Sequence, residues 1–96
     1  MTIVKKAVAG TMESSDIMIV VDKPEGKGIH VTLESPVKKQ FGDRIKEVIL
    51  DSAKKVGVKD ADIKAIDKGA LDCVIMARAT TALYRACESI DYQWEK

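Results

Sequence analysis

Ala7-Val8-Ala9-Gly10-Thr11-Met12-Glu13-Ser14-Ser15-Asp16-Ile17-Met18-Ile19-Val20-Val21 is the stretch whose reading decides the fold. Ile3 to Met12 is β-prone, though polar residues interrupt it, and Ile17 to Val21 is an unbroken apolar run rich in β-branched residues. Such side chains are stiff at χ1 and pack well on a pleated surface. Between the two segments stands Glu13-Ser14-Ser15-Asp16. Small and acidic residues bond locally to their own backbone and tolerate tight turns, so the pattern predicts a β-hairpin with Ser14 exposed at its tip.

Working outward, Asp22-Lys23-Pro24-Glu25-Gly26-Lys27-Gly28 reads as a second turn, in which Pro and two Gly end the pairing. Ile29, Val31 and Leu33 then alternate with His30 and Thr32. That period of two marks a third strand with one buried face, and it puts His30 opposite the core. Ser35-Pro36 predicts a helix start, with Ser as N-cap and Pro at the first helical position, where its missing N–H is not needed. Val37, Phe41, Ile45, Val48, Ile49 and Val56 recur at helical spacing, giving a helix of about twenty residues, ~30 Å long. Gly57 suits the C′ position, with Val58 folding back behind it. Gly42, inside this helix, costs about 1 kcal/mol relative to Ala, either offset by close approach of another segment or uncompensated.

Asp60 to Asp67 forms a fourth strand with Ile63 and Ile66 as its apolar positions, and Lys68-Gly69 is the following turn. Ala70 to Glu88 is a second helix, with Leu71, Ile75, Ala79, Ala82, Leu83 and Ala86 on its buried side. Arg78, Thr81 and Arg85 form a stripe at the edge of that face, which reads as a solvated edge or as a contact to a phosphate or partner. Ser89 to Lys96 is a polar tail carrying Tyr92 and Trp94. These elements make one α+β domain over residues 1–96. It has two layers: an antiparallel sheet of three or four strands with two helices packed on one face, in the order β-β-β-α-β-α.

Length and composition set the limits. The chain's 96 residues leave no room for two cores. Hydrophobic and charged fractions of 46% and 32% are those of a globular protein rather than a disordered one. A net charge of +1 offers no general attraction to nucleic acid or to a membrane surface. No apolar run nears the roughly 18 residues of a membrane span. Lys5 and Lys6 interrupt any signal-peptide pattern, so the cytoplasm is the expected compartment. Cys73 and Cys87 on one helix would stand about 21 Å apart, too far for a disulfide, and neither has the spacing of a metal site. Packing is the expected role of both.

The catalytic inventory is thin. His30 is the sole histidine, and there is neither a phosphate-binding GxxxxGK[ST] loop nor a GxGxxG. A carrier needs no such groups. It needs a hydroxyl that a separate enzyme can reach, a rigid base behind it, and a surface that partner active sites accept. A serine at a hairpin tip meets the first need, and a flexible arm joined there would raise the effective concentration of its reactive end at each partner. Glu13 and Asp16 beside Ser14 suit recognition or turn solvation better than catalysis, because ordinary exposed carboxylates are weak bases. Asp51-Ser52-Ala53, the nearest match to the Asp-Ser-Leu motif of helical phosphopantetheine carriers, falls well inside the first helix and is incomplete.

Four blocks together resemble citrate lyase acyl carrier proteins, the gamma subunit family of that enzyme. They are Ala7-Val8-Ala9-Gly10-Thr11-Met12-Glu13-Ser14, Lys39-Gln40-Phe41-Gly42-Asp43, Asp67-Lys68-Gly69-Ala70-Leu71-Asp72-Cys73, and Ala77-Arg78-Ala79. Their order and spacing cover most of the chain, and Trp94-Glu95 also looks like the family's tail. The resemblance implies a non-catalytic carrier subunit with Ser14 as its attachment site. There a prosthetic group, 2'-(5''-phosphoribosyl)-3'-dephospho-coenzyme A, is joined through a phosphodiester. Ser15 stands where the family usually has glycine, which makes it the second candidate and leaves a turn that needs positive φ less comfortable. The implied partners are holo-citrate lyase synthase, which transfers the arm, and the alpha and beta subunits. The alpha subunit exchanges acetate for citrate on the arm's thiol, and the beta subunit releases oxaloacetate. The related carrier of malonate decarboxylase, which uses the same kind of arm, is the alternative of the same class. A small interaction domain without a covalent cofactor is the alternative from another.

Overall fold

The structure is a computed structural model and describes residues 2–87. Glu88, the expected end of the second helix, and the Tyr92 and Trp94 tail lie outside the described residues. The elements are β1 (Ala7–Gly10), β2 (Ile17–Asp22), β3 (Ile29–Glu34), α1 (Lys38–Val56), β4 (Ala61–Asp67) and α2 (Asp72–Cys87). The α+β class and the β-β-β-α-β-α order are those read from the sequence.

The four strands form one sheet in the order β1-β2-β4-β3. β1 and β2 pair antiparallel, with Ala9 opposite Ile19, and β2 and β4 pair antiparallel, with Ile19 opposite Ala65. β3 and β4 pair parallel, with Val31 opposite Ile63, so the sheet is mixed where an antiparallel one was expected. The cause lies in the connections. A parallel pair needs a crossover, and α1 returns the chain along the sheet so that β4 enters in the direction of β3. The wide 23–28 loop leaves β3 one strand away from β2, and β4 fills the gap.

Strict alternation sends Ala61, Ile63, Ala65 and Asp67 of β4 inward, beside Ile17, Ile19 and Val21 of β2. Ile66 therefore faces the other side of the sheet, opposite Met18, and is only half-buried. The inward face meets Ile45, Val48, Ile49 and Ala53 of α1 and Ile75, Ala79, Ala82 and Leu83 of α2 in one continuous core. α2 covers β1 and β2, α1 lies over β3, and the helices touch each other. Three alanines on the buried side of α2 keep that approach close.

Two apolar side chains expected inside are outside. Phe41 is 53% exposed, because Gly42 rather than Phe41 faces the sheet. A Cβ on Gly42 would stand 3.7 Å from Leu33 Cδ2. Leu71 is 71% exposed, because α2 starts one residue after it. Cys73 is exposed as well, so packing is not its role, whereas burial raises the pKa of the half-buried Cys87 thiol; both thiols are free.

The ends of α1 show what the local sequence controls. Ser35 does not cap it as expected; the helix begins at Lys38 after a turn in which Ser35 Oγ accepts the Val37 N–H at 3.1 Å. At the far end Gly57 takes φ +89°, its N–H reaches Ala53 O at 3.0 Å, and the Val58 N–H bonds the same oxygen at 3.0 Å. Val58 is buried, as a Schellman closure requires.

Candidate functional site

The hairpin between β1 and β2 closes as a tight turn over Glu13 to Asp16, with Glu13 O accepting the Asp16 N–H at 3.1 Å. Ser15 has φ +68° and is the one non-glycine residue with positive φ among the described residues. Positive φ at the third position alone is the pattern of a type II turn, which favours glycine there. Ser14 occupies the second position, is exposed, and has no hydrogen-bond partner for its hydroxyl among the described residues. Ser15 is exposed beside it.

The base under Ser14 is tied on two sides. On one, Ser15 N–H donates to Lys68 O at 2.8 Å and Lys68 N–H donates to Asp16 O at 2.9 Å, joining the hairpin turn to the turn after β4. On the other, Arg78 of α2 grips Asp16 with Nε to Oδ1 at 3.1 Å and Nη2 to Oδ2 at 3.0 Å. Thr11 Oγ1 donates to Asp16 Oδ2 at 2.6 Å and accepts the Glu13 N–H at 3.2 Å; the Ile17 N–H reaches Asp16 Oδ1 at 2.7 Å. The Arg78 guanidinium above all, then the Thr11 hydroxyl and the Ile17 amide, hold the Asp16 carboxyl well below the usual carboxylate range. A carboxylate so stabilised is a poor base for the Ser14 proton.

The turn after β4 has its own anchor. Asp67, only 2% exposed, accepts the Gly69 and Ala70 N–H groups on Oδ1 at 3.1 and 2.9 Å and the Ser35 hydroxyl on Oδ2 at 2.8 Å. Its partners are thus the turn itself and the start of α1. Arg85 reaches the edge strand and donates to Val8 O at 2.8 Å. Both arginines of the α2 stripe therefore fasten the helix to the hairpin, and neither is a plain solvated edge.

The structure brings together residues that the sequence only placed in order. Block one carries Thr11 and Ser14, block three Asp67 and Lys68, block four Arg78, and all meet around one turn. The Arg78–Asp16 pair had a sequence signal, an arginine at a helix edge and an acid beside the candidate serine. The Lys68 backbone ladder had none, since any residue type can supply it. His30 lies on the far face of the sheet, where its ring meets Lys27 O at 3.1 Å. Ser52 is buried in α1 and donates to Val48 O at 2.9 Å, which excludes it as an attachment site.

The acyl-carrier family model described as malonate decarboxylase delta subunit (MdcD) matches residues 4–86. The citrate lyase acyl carrier protein of Streptococcus mutans serotype c is 51% identical over 96 residues, all of this chain and 94% of that one. The chain belongs to the citrate lyase acyl carrier protein family. The family's Lactobacillus acidophilus member is 54% identical over 91 residues, 95% of this chain and 93% of that one. Its Escherichia fergusonii member is 47% identical over 94 residues, 98% of this chain and 97% of that one. Among solved structures, homoserine kinase from Cytophaga hutchinsonii aligns with a TM-score of 0.56 at 10% identity, covering 85% of this chain and 33% of that chain. At that identity the likeness is one of fold alone.

Proposed function

We propose that this chain is the acyl carrier subunit of citrate lyase and that Ser14 Oγ is the atom to which its coenzyme-A-derived arm is joined. One observation carries the site: Ser14 is an exposed hydroxyl with no hydrogen-bond partner among the described residues, at the second position of a turn whose backbone is fastened at Ser15 and Asp16. A phosphodiester at that oxygen would displace no hydrogen bond among the described residues. The arm, 2'-(5''-phosphoribosyl)-3'-dephospho-coenzyme A, supplies a thiol for thioester chemistry. In its attachment the Ser14 Oγ–P bond forms and a phosphoanhydride bond of an activated arm donor breaks. The phosphate leaving group departs and the serine proton passes to a base of the synthase. The chain contributes position and a rigid base, while the alpha and beta subunits make and break the acyl bonds. The expected compartment is the cytoplasm, where both free thiols stay reduced.

The family model's own description favours a second reading, the carrier of malonate decarboxylase. The names of the relatives favour citrate lyase. The subunits that co-purify with the chain separate the two.

Intact mass of the protein from its native source tests the carrier reading. An adduct of the arm's mass supports it, and an unmodified chain in cells with active citrate lyase sinks it. Ser14→Ala and Ser15→Gly then assign the oxygen. Loss of the adduct in the first and retention in the second is expected, and the reverse moves the site to Ser15.

A further inference from the structure

The geometry points to Arg78 as a positioning residue for Ser14, acting through Asp16 to set the rate at which the arm is attached. The inference rests on the reading of Ser14 above. Arg78 stands 62 residues from Asp16 in sequence, yet its fork meets both carboxylate oxygens, Nε to Oδ1 at 3.1 Å and Nη2 to Oδ2 at 3.0 Å. Two parallel bonds fix the plane of the carboxylate as well as its distance. The Asp16 side chain is only 14% exposed, so solvent competes little for it.

From Asp16 the constraint spreads to both shoulders of the turn. Oδ2 holds the Thr11 hydroxyl at 2.6 Å, Thr11 holds the Glu13 amide at 3.2 Å, and Oδ1 holds the Ile17 amide at 2.7 Å. Ser14 lies between those shoulders, and its hydroxyl has no hydrogen bond among the described residues. The turn that carries it is held to α2 by the Arg78–Asp16 pair and to the turn after β4 by the Lys68 ladder. The ladder is backbone and survives substitution, whereas the pair is side chain and can be removed. A direct contact from Arg78 to the phosphate of an incoming donor is the competing role. It is disfavoured because Nε and Nη2 are already engaged and the charge is already matched by Asp16.

The test is loading of the full-length apo chain by purified synthase from the phosphoanhydride-activated donor, followed by intact mass. Asp16→Asn, Arg78→Gln and the double variant are compared. Each single variant is expected to lower kcat roughly tenfold with KM for the chain little changed, short of the ~100-fold that a 1 Å misplacement can cost. The double variant should be no slower than the slower single, because both remove one linkage. Arg78→Lys should recover only part of the rate, since an ammonium cannot meet both oxygens. Arg85→Gln removes the other tie between α2 and the hairpin, at Val8 O, and should load at the parent rate. Unchanged loading in Arg78→Gln overturns the inference. So do losses that multiply in the double variant, which would mean a direct contact to donor or enzyme. Equal slowing in Arg85→Gln overturns it too, as that would be general loosening. Ser14→Ala runs in parallel: continued loading there defeats the attachment site itself, whatever Arg78 does.

Discussion

The Ser35 hydroxyl donates to the buried carboxylate of Asp67 at 2.8 Å across 32 residues of sequence. That bond ties the start of α1 to the end of β4, where the chain turns to meet the Ser14 loop. Asp67 also holds the Gly69 and Ala70 amides, so its removal orphans three donors at once. Hydrogen bonds contribute about 0.5–1.5 kcal/mol each, and about 1.5–3 kcal/mol where the acceptor is charged. Asp67→Ala should therefore cost roughly 3 kcal/mol or more, and Ser35→Ala about 1–2 kcal/mol, by urea midpoint. A loss under about 0.5 kcal/mol in Asp67→Ala would show that the turn stands without it.

Ser15 holds a left-handed conformation that glycine adopts freely. For other residues that region costs about 1–2 kcal/mol. Ser15→Gly should raise stability by about 1 kcal/mol, seen as a higher thermal midpoint, and leave arm attachment at Ser14 unchanged. A lower midpoint would mean that the Ser15 side chain supports the turn in a way its open surroundings do not suggest.

Two glycines should respond to alanine in opposite directions. Gly10 ends β1 at φ +94°, and a Cβ there would collide with the Ile17 carbonyl oxygen. Strand pairing at Gly10 and Met18 would have to open, so Gly10→Ala should cost at least ~2 kcal/mol and disturb the Ser14 turn. Gly42 lies inside α1, where an added Cβ meets the flexible Lys38 side chain at 3.2 Å and Leu33 at ordinary contact. Gly42→Ala should gain up to about 1 kcal/mol of helix propensity. Urea titrations of both variants check the pair.

Periodicity carried the fold as far as element order. The alternation in β3, the helical spacing in α1 and the Gly57-Val58 closure depend on neighbours in sequence, so they were legible there. Pairing direction was not, because it depends on where α1 delivers β4. The helix-start signal at Ser35-Pro36 was real but misplaced by two residues: the Ser35 hydroxyl donates to Asp67 and accepts the Val37 N–H in a turn that precedes the helix. Ser14 was legible as an exposed turn residue. Its supporting frame was not, because Arg78 and Lys68 approach it from segments far along the chain.

Position relative to the helix, not hydrophobicity, separates Leu71 from Leu83. Leu71 precedes α2 and is 71% exposed, whereas Leu83 is fully buried against the sheet. Leu83→Ala should cost about 2–5 kcal/mol, with transfer and cavity contributions adding. Leu71→Ser should stay within roughly 0.5 kcal/mol. A large loss in Leu71→Ser would require Leu71 to be covered in solution, and a self-association assay on the same variant would then locate that contact.

Acid should lower the stability of the folded state through Asp16, while the Asp16–Arg78 pair itself stays ionised in the folded chain. The folded Asp16 carboxyl titrates well below the roughly 3.9 of an unfolded chain, with the Arg78 bonds as the first cause. A depressed folded pKa means that the unfolded state binds the proton first, so the contribution of Asp16 is fully present above the unfolded value. It is lost progressively as pH falls from about 4 toward the folded value. Asp16→Asn removes this ionisation and should flatten that part of the stability curve below pH ~4, while leaving the curve's shape near neutrality unaltered. Urea midpoints across that pH range read the slope directly. An unchanged acid slope in Asp16→Asn would mean that the pair with Arg78 does not persist in solution, and with it would fall the frame on which Ser14 is held.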